Sequence, residues 1–484
     1  MKTTSVARIQ YVICLGAFLS NLSAGMFNIA LLDISRDFQS TMTSTQWVVA
    51  IYLLTISVCL PLMGSLGDGK GKRTVHNLGL LIFAAGGLLC ALSNSLPALI
   101  LFRIVQGIGA SMYQANNMAL VVSLFPPERR GRALGTVSTF VAAGALIGPS
   151  LGGMIIQWLS WRANFWLLAA VALGTWLLAQ RFIPADRTAG SGAPDYPGAA
   201  LFAVALTSMV TALNLGTSQG WASGSVWLLL GLAVLFGAWF ARRSLSPRWE
   251  RAAEGSGPFI RLTLFNHPYI GFGVLLTILT YAAAFGTQLV LPVILRNVMG
   301  IPPAGAGLIV MAYPASLIFS APLSGTGSDR FGSAPLIIAG LGSMAVSLAA
   351  FSFLSADSHT LYVIAVVVLL GWSMGLITSP NNSIVMSRTP KQNLGLMSSM
   401  IALCRNLGMM LGAAVGGLLL STEPGAGTAT AAALSGFSHS IRDWYMAMAM
   451  LIVAALLVFL WVTRYSDKKA AAMHGRGNQR ETMV

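Results

Sequence analysis

A chain of 484 residues that is 55% hydrophobic and only 9% charged cannot build the surface of a water-soluble domain, where about a quarter of the residues are charged. A net charge of +15 does not mark a nucleic-acid binder, because the basic residues sit in short connectors and do not interleave with aromatics on one domain. The remaining class is a protein whose solvent is the bilayer.

In chain order, apolar blocks of the ~20 residues that cross ~30 Å of hydrocarbon predict spans at 9–32, 45–66, 75–94, 96–124, 133–158 and 163–181. The first follows a polar, basic Met1 to Arg8 and is longer than a signal-peptide core, so it is read as a spanning helix. Two more spans, 198–217 and 225–243, are bracketed by the longest polar connectors, Pro184 to Pro197 and Leu245 to His267. Six others follow at 268–294, 304–325, 334–354, 360–382, 393–421 and 443–464. The expectation is an all-α membrane protein of fourteen helices: a six-helix bundle over 1–182, a linker with two additional helices over 183–267, a second bundle over 268–466 and a tail over 467–484. Cys14, Cys59, Cys90 and Cys404 all fall in apolar blocks without a CxxC spacing, so they read as core residues, and no metal or cofactor is expected.

An even span count puts both termini on one side, and the basic residues test it. Of 29 Lys and Arg, 23 fall in connectors on the N-terminal side and four (Arg36, Arg162, Arg296 and Arg442) on the other, while Arg103 and Arg405 lie within spans. One miscounted helix would scramble that bias, which places both ends in the cytoplasm of a cell-membrane protein.

The chain also repeats itself. Gly64-Ser-Leu-Gly-Asp68-Gly-Lys-Gly71 matches Gly325-Thr-Gly-Ser-Asp329-Arg-Phe-Gly332 at an offset of 261, and Gly144 to Gly153 matches Gly408 to Gly417 at 264. Two parallel six-helix halves follow. Asp68 and Asp329 each follow a glycine-rich helix end and are expected to face nearby Lys and Arg, with Gly71, Arg129, Arg130 and Arg330 as the neighbouring gating positions, in charge-assisted contacts that latch one side shut. Gly144, Gly148 and Gly152, with Gly153 adjacent, lie on one face of the fifth span and admit a neighbouring backbone, and Pro149 invites a bend.

Gly64 to Arg73, Arg103-Ile-Val-Gln106-Gly107-Ile-Gly109 and Gly144 to Gly153 resemble, in order, the connector, helix 4 and antiporter signatures of the major facilitator superfamily. Trp161-Arg162 with Phe165, and Gln46-Trp47 with Tyr52, resemble its fourteen-helix drug:proton antiporter branch. The resemblance covers nearly the whole chain. It implies two rocking bundles, a hinge role for the fifth-span glycines, and drug export.

On the fourth span, Arg103, Gln106, Ala110, Tyr113, Gln114 and Asn117 share one helical face. An arginine at a helix centre costs at least ~2.5 kcal/mol against lipid, so this stripe must face water, a solute or polar helices. Asn21, Gly25 and Asn28 on the first span, Thr277, Thr280, Tyr281 and Gln288 on the ninth, and Ser379, Asn382 and Ser383 on the twelfth occupy matching positions in the two halves. Together they predict a central substrate cavity, against the alternative of hydrogen bonding between helices without a cavity. Arg405 is read as structural, paired with a carbonyl or snorkelling.

No Asp or Glu lies in the middle of a span; Asp33, at the outer end of the first, is the nearest proton site. Where the antiporter branch carries Asp on helix 1, this chain has Ser23. Three functions are therefore weighed. The first is a proton-coupled exporter of amphipathic drugs or other small organic molecules. The second is an uptake carrier or facilitator for a metabolite such as a vitamin or organic anion. The third is a membrane enzyme, disfavoured because His76, His267, His359, His439 and His474 sit at helix ends or in connectors. ATP is not expected as the energy source, because Gly69-Lys70 is followed by Gly71 where a phosphate loop needs Ser or Thr. A monomer is expected.

Overall fold

The computed structural model describes residues 3–40, 42–184, 195–220, 222–246, 260, 262–355, 357–420 and 439–463. The first six helices are α1 (Thr3–Asp37), α2 (Met42–Lys70), α3 (Lys72–Ala91), α4 (Leu96–Leu124), α5 (Arg130–Trp158) and α6 (Trp161–Phe182). Next come α7 (Tyr196–Gln219) and α8 (Gly224–Ser244). The last six are α9 (Pro268–Val293), α10 (Pro303–Phe331), α11 (Ser333–Phe351), α12 (Thr360–Ser387), α13 (Leu394–Leu420) and α14 (His439–Thr463). Thirteen are long and apolar enough to cross a membrane, and α7 carries a shorter apolar stretch, Pro197–Leu213.

Local chemistry sets the helix ends. Ser95 caps α4 by accepting the amide of Ala98, with proline in the first turn. Asp195 caps α7 through Gly198 and also takes Arg243 from the end of α8 at 2.5 Å, which closes the α7–α8 hairpin. The α2–α3 and α10–α11 junctions each turn on one glycine, Gly71 (φ 98°) and Gly332 (φ 83°), in backbone conformations that side-chain-bearing residues avoid. These glycines are 261 positions apart, so the repeat extends to backbone conformation. The signatures read as connectors accordingly lie on the last turns of α2 and α10, because a single glycine suffices as the turn.

Apolar side chains face outward as well as inward. Trp227, Leu228, Val234, Leu235 and Trp239 are exposed along α8, and Leu457 and Trp461 along α14, which is the surface a hydrocarbon solvent requires. Two buried cores form, one centred on α1 to α6 and one on α9 to α14. Within each half the glycine stripe brings two backbones together. A Cβ at Gly144 would lie 2.5 Å from the Phe18 carbonyl oxygen, and one at Gly412 2.4 Å from that of Ala282. Thus α5 packs on α1 as α13 packs on α9. The halves meet where α2 lies against α13 and α5 against α10, and α7 touches both α2 and α13.

Candidate functional site: two carboxylate clasps and a cleft between the halves

On the face where α2 ends and α3 begins, here the basic face, each half grips the other. Asp68 at the end of α2 accepts the amides of Gly395 (2.8 Å) and Leu396 (2.9 Å), the first turn of α13. Asp329 at the end of α10 accepts those of Gly131 and Arg132, the first turn of α5, each at 2.9 Å. Both carboxylates therefore sit on the positive end of a helix in the opposite half. The expected contact with a nearby basic side chain forms at Asp68 and is corrected at Asp329, for which no ion pair is found among the described residues. Only Lys72 pairs with Asp68, at 3.0 Å, whereas Arg130 donates to the Phe125 carbonyl and Arg129 and Arg330 are exposed. Unsatisfied amides at a helix start hold both carboxylate oxygens at once, which a side-chain cation on its own turn cannot reach across the junction to do.

Glycines make the approach possible. A Cβ on Gly131 would lie 2.6 Å from the Gly325 carbonyl oxygen, and one on Gly395 2.5 Å from that of Gly64. Contacts continue inward, with Ser379 donating to the Gly131 carbonyl (3.2 Å), Thr139 to Ile318 (3.4 Å), and Asn406 to Ser57 (3.3 Å). Asp68 and Ser57 are eleven positions apart on α2, about 16 Å of helix. The basic face is shut to roughly half the depth of the membrane.

Alongside these contacts, between the halves, lies a small cleft with about 20 Å³ of free space, room for about one water molecule. Asn21 and Ala17 of α1, Gln114, Asn117 and Met118 of α4, Val137 and Val141 of α5, and Ser398, Ala402 and Arg405 of α13 line it. Both halves contribute. Gln114 links them, donating to Ser20 and accepting from the Arg405 guanidinium at 3.3 Å. Buried Asn117 Oδ1 and Ser398 Oγ have no hydrogen-bond partner in the protein. Such groups favour a polar ligand or water. Among the described residues, the lining contains no carboxylate.

The α4 stripe divides in two. Gln114 and Asn117 reach the cleft, whereas Arg103, Gln106 and Tyr113 are fully buried inside the first half. Arg103 donates to the Val48 carbonyl (3.1 Å) and to Gln106 Oε1 (2.8 Å), and its guanidinium lies 4.2 Å from the ring centre of Phe27, 4.5 Å from Tyr52 and 5.3 Å from Phe165. The expectation that it faces a wetted passage is replaced by an aromatic cage that solvates the cation with ring faces.

The C-terminal polar residues satisfy one another. Thr277 and Thr280 donate to carbonyls of their own helix, and Asn381 of α12 donates to Gly273 O and Thr277 Oγ1 of α9. Ser379 belongs to the seal and Asn382 is buried, while half-buried Tyr281 and Gln288 are not among the cleft residues. Asp33 is twelve positions beyond Asn21 on α1, about 18 Å outward. The side chains of Asn28 and Pro149 lie outside the described residues.

The structure corrects one side chain and adds another. Arg405 is neither carbonyl-paired nor snorkelling but spans the halves to Gln114. His76 is fully buried in α3, with Tyr113 against its ring. A lone titratable residue in a short polar-to-apolar transition was the only signal for His76. For Arg405 it was an arginine within a glycine-rich span. On the opposite face, Asp37 accepts from Arg162 (2.6 Å) and Trp161 (3.1 Å), and Arg162 also reaches the Ser93 carbonyl. This tie places the tryptophan–arginine pair of the antiporter-like signature.

The sequence matches the Major Facilitator Superfamily over residues 13–413 and again over 273–480. The chain belongs to that family. It is a multi-pass membrane transporter, with two six-helix halves and two inserted helices. Its relatives include the riboflavin transporter RibZ of Clostridioides difficile (strain 630), 31% identical over 83% of this chain and 86% of that one. The tetracenomycin C resistance and export protein of Streptomyces glaucescens is 29% identical over 85% of this chain and 76% of its own length. Among solved structures, the proton:xylose symporter XylE superposes with a TM-score of 0.64 at 16% identity, covering 95% of this chain and 96% of that one, which shows a common fold.

Proposed function

We propose that this protein is a proton-coupled exporter of amphipathic small organic molecules, working by alternating access as a monomer in the cell membrane, with both termini in the cytoplasm. The observation that carries this reading is the pair of symmetry-related clasps at Asp68 and Asp329, which close one face beside a small cleft built by both halves. In this reading that face is cytoplasmic, as the distribution of Lys and Arg supports. Solute loaded from the cytoplasm in the alternate state would occupy this cleft as the halves move apart, its Ala, Met and Val walls suiting an apolar body and its amides orienting a polar end. The names of resistance and export relatives support the outward direction.

Among the described residues the cleft holds Arg405 and no acid, which disfavours a cationic solute and favours a neutral or anionic one rich in acceptors. That feature, with the relative named for riboflavin transport, supports a second reading as a carrier of a vitamin or organic anion. Expression in cells stripped of their own efflux pumps separates the two. Export predicts lower accumulation of a neutral or anionic amphipathic dye, restored by an uncoupler. Unchanged dye with faster riboflavin uptake would replace export with the second reading.

A further inference from the structure

A carrier driven by protons needs a group that gains and loses one between its two faces, and among the described residues no acid lines the cleft. Asp68 and Asp329 are bonded into the clasps, and Asp33 is far from the cleft. His76 is different. It is fully buried, and its Nδ1 lies 3.1 Å from Asn77 Oδ1. An amide oxygen only accepts, so Nδ1 is the protonated nitrogen and Nε2 carries the lone pair.

That Nε2 makes no hydrogen bond of good geometry, and neither does Oδ1 of Asn117 on α4. Both atoms approach the same point on α1, lying 3.6 and 3.7 Å from where a Cβ on Gly16 would be. Two buried acceptors set side by side are an unfavourable arrangement that one proton resolves: Nε2 takes the proton and then donates to Asn117 Oδ1. The proton adds to the lone pair on entry and leaves by the same nitrogen, and no other bond changes. Asn117 also lines the cleft, so the acceptor that would hold the imidazolium is within reach of the solute.

We propose that His76 carries the coupling proton and that Asn117 links it to the solute. This rests on the reading of the protein as proton-coupled. A solute that engages the Asn117 amide withdraws the acceptor from the imidazolium, so solute binding and proton binding oppose one another, as exchange requires. The charges nearby do not compete for the ring. On its own helix Lys72 is paired with Asp68 of α2, and Arg73 donates to the Gln180 carbonyl of α6. From α4 the facing titratable group is Tyr113, and α1 presents Gly16.

The test has a solute-free arm and a transport arm. In nanodiscs with ¹⁵N-labelled histidine, the signal lost in His76→Gln should change reversibly from the neutral to the protonated form as the wild type is acidified. A His76 signal that stays in one neutral tautomer down to the pH at which the protein unfolds overturns the proposal, whatever the protein transports. In proteoliposomes, riboflavin and fluorescein serve as probes under an imposed pH gradient. The proposal expects His76→Gln to lose gradient-driven accumulation while keeping solute counterflow, which needs the cleft and the rocking motion but no net proton. Gradient-driven transport unchanged in His76→Gln overturns His76 alone. Counterflow without gradient drive in the wild type overturns proton coupling itself. Loss of both activities in a folded variant assigns His76 a structural role and also overturns the proposal. His76→Asn is the second variant if Gln does not insert.

Discussion

Arg103 and Arg405 both lie well inside membrane-spanning helices, and the structure gives them opposite surroundings. Arg103 is enclosed by one half of the molecule, with a carbonyl, an amide and three aromatic rings around it. Arg405 reaches from one half to the other, at the wall of a cleft, through a single hydrogen bond to Gln114. Contacts of the first kind move as a unit when the halves rock, whereas those of the second kind break and re-form. The lesson is that a buried charge in a transporter is assigned by whether its partners are in its own half. Polar contacts within a half set stability, and polar contacts across the halves set which face is open.

The sharpest way to break that comparison is to truncate both arginines. Arg103→Ala leaves the Val48 carbonyl and Gln106 without a donor and opens a void between three rings. It should destabilise the protein on the order of 3–5 kcal/mol, combining a lost charge-assisted hydrogen bond, lost cation–π contacts and a cavity. Arg405→Ala should change stability by no more than ~1 kcal/mol, the range for a half-exposed single contact, yet lose transport. Thermal unfolding in nanodiscs alongside probe counterflow measures both. Equal losses of stability would erase the distinction.

The clasps come next in size. Asp329→Ala removes two charge-assisted bonds between the halves, each worth about 1.5–3 kcal/mol before water replaces it. Asp68→Ala removes two more and strands Lys72. Because the clasps act in parallel, either alone should leave the basic face largely shut and the double variant should open it. Spin labels on the ends of α2 and α10 and the starts of α13 and α5 would report the lengthening. An unchanged distance distribution in the double variant would show that helix packing alone holds the seal. Gly131→Ala attacks the same contact by crowding, since its Cβ would lie 2.5 Å from Asp329 Oδ1. A shift of about 1–3 kcal/mol toward the opened state is expected, with thermal stability of each half retained.

Much of this architecture is written in local sequence. The ends of α4 follow from Ser95 and the apolar run behind it, and the repeat at offset 261 locates both clasp carboxylates and both turn glycines. Asp68 and Asp329 were legible as latching residues because an acid after a glycine-rich helix end is conspicuous. Their partners were not, because a backbone amide looks alike at every position and only the fold shows which helix starts opposite. Arg103 and Arg405 were inverted for a related reason. Periodicity gives the face of a helix but not which helix covers it, so a polar stripe reads the same against a cleft as against Phe27, Tyr52 and Phe165. His76 was passed over since its place one turn into α3 suggests an interface with water, and the close α3–α4 packing at Gly79 and Gly109 that buries it is a long-range feature.

The smallest effect belongs to the outer tie within the first half. The Asp37 carboxyl is held below the usual carboxylate range, chiefly by its hydrogen bond from Arg162. A lowered folded-state pKa stabilises the protein at every pH above the unfolded value of about 3.9 and loses that contribution only as pH falls through the folded value. The pair is partly exposed, so screening keeps its worth to at most about 1 kcal/mol. Asp37→Asn should therefore melt slightly lower than wild type at neutral pH, with the gap unchanged down to about pH 5 and closing in stronger acid. It should leave the spin-label distances at the basic face where they were, because Asp37, Arg162 and Trp161 all ride on one half. A gap that persists in strong acid would show that the charge of Asp37 contributes nothing, and a change at the basic face would show that a contact within one half can also set the state.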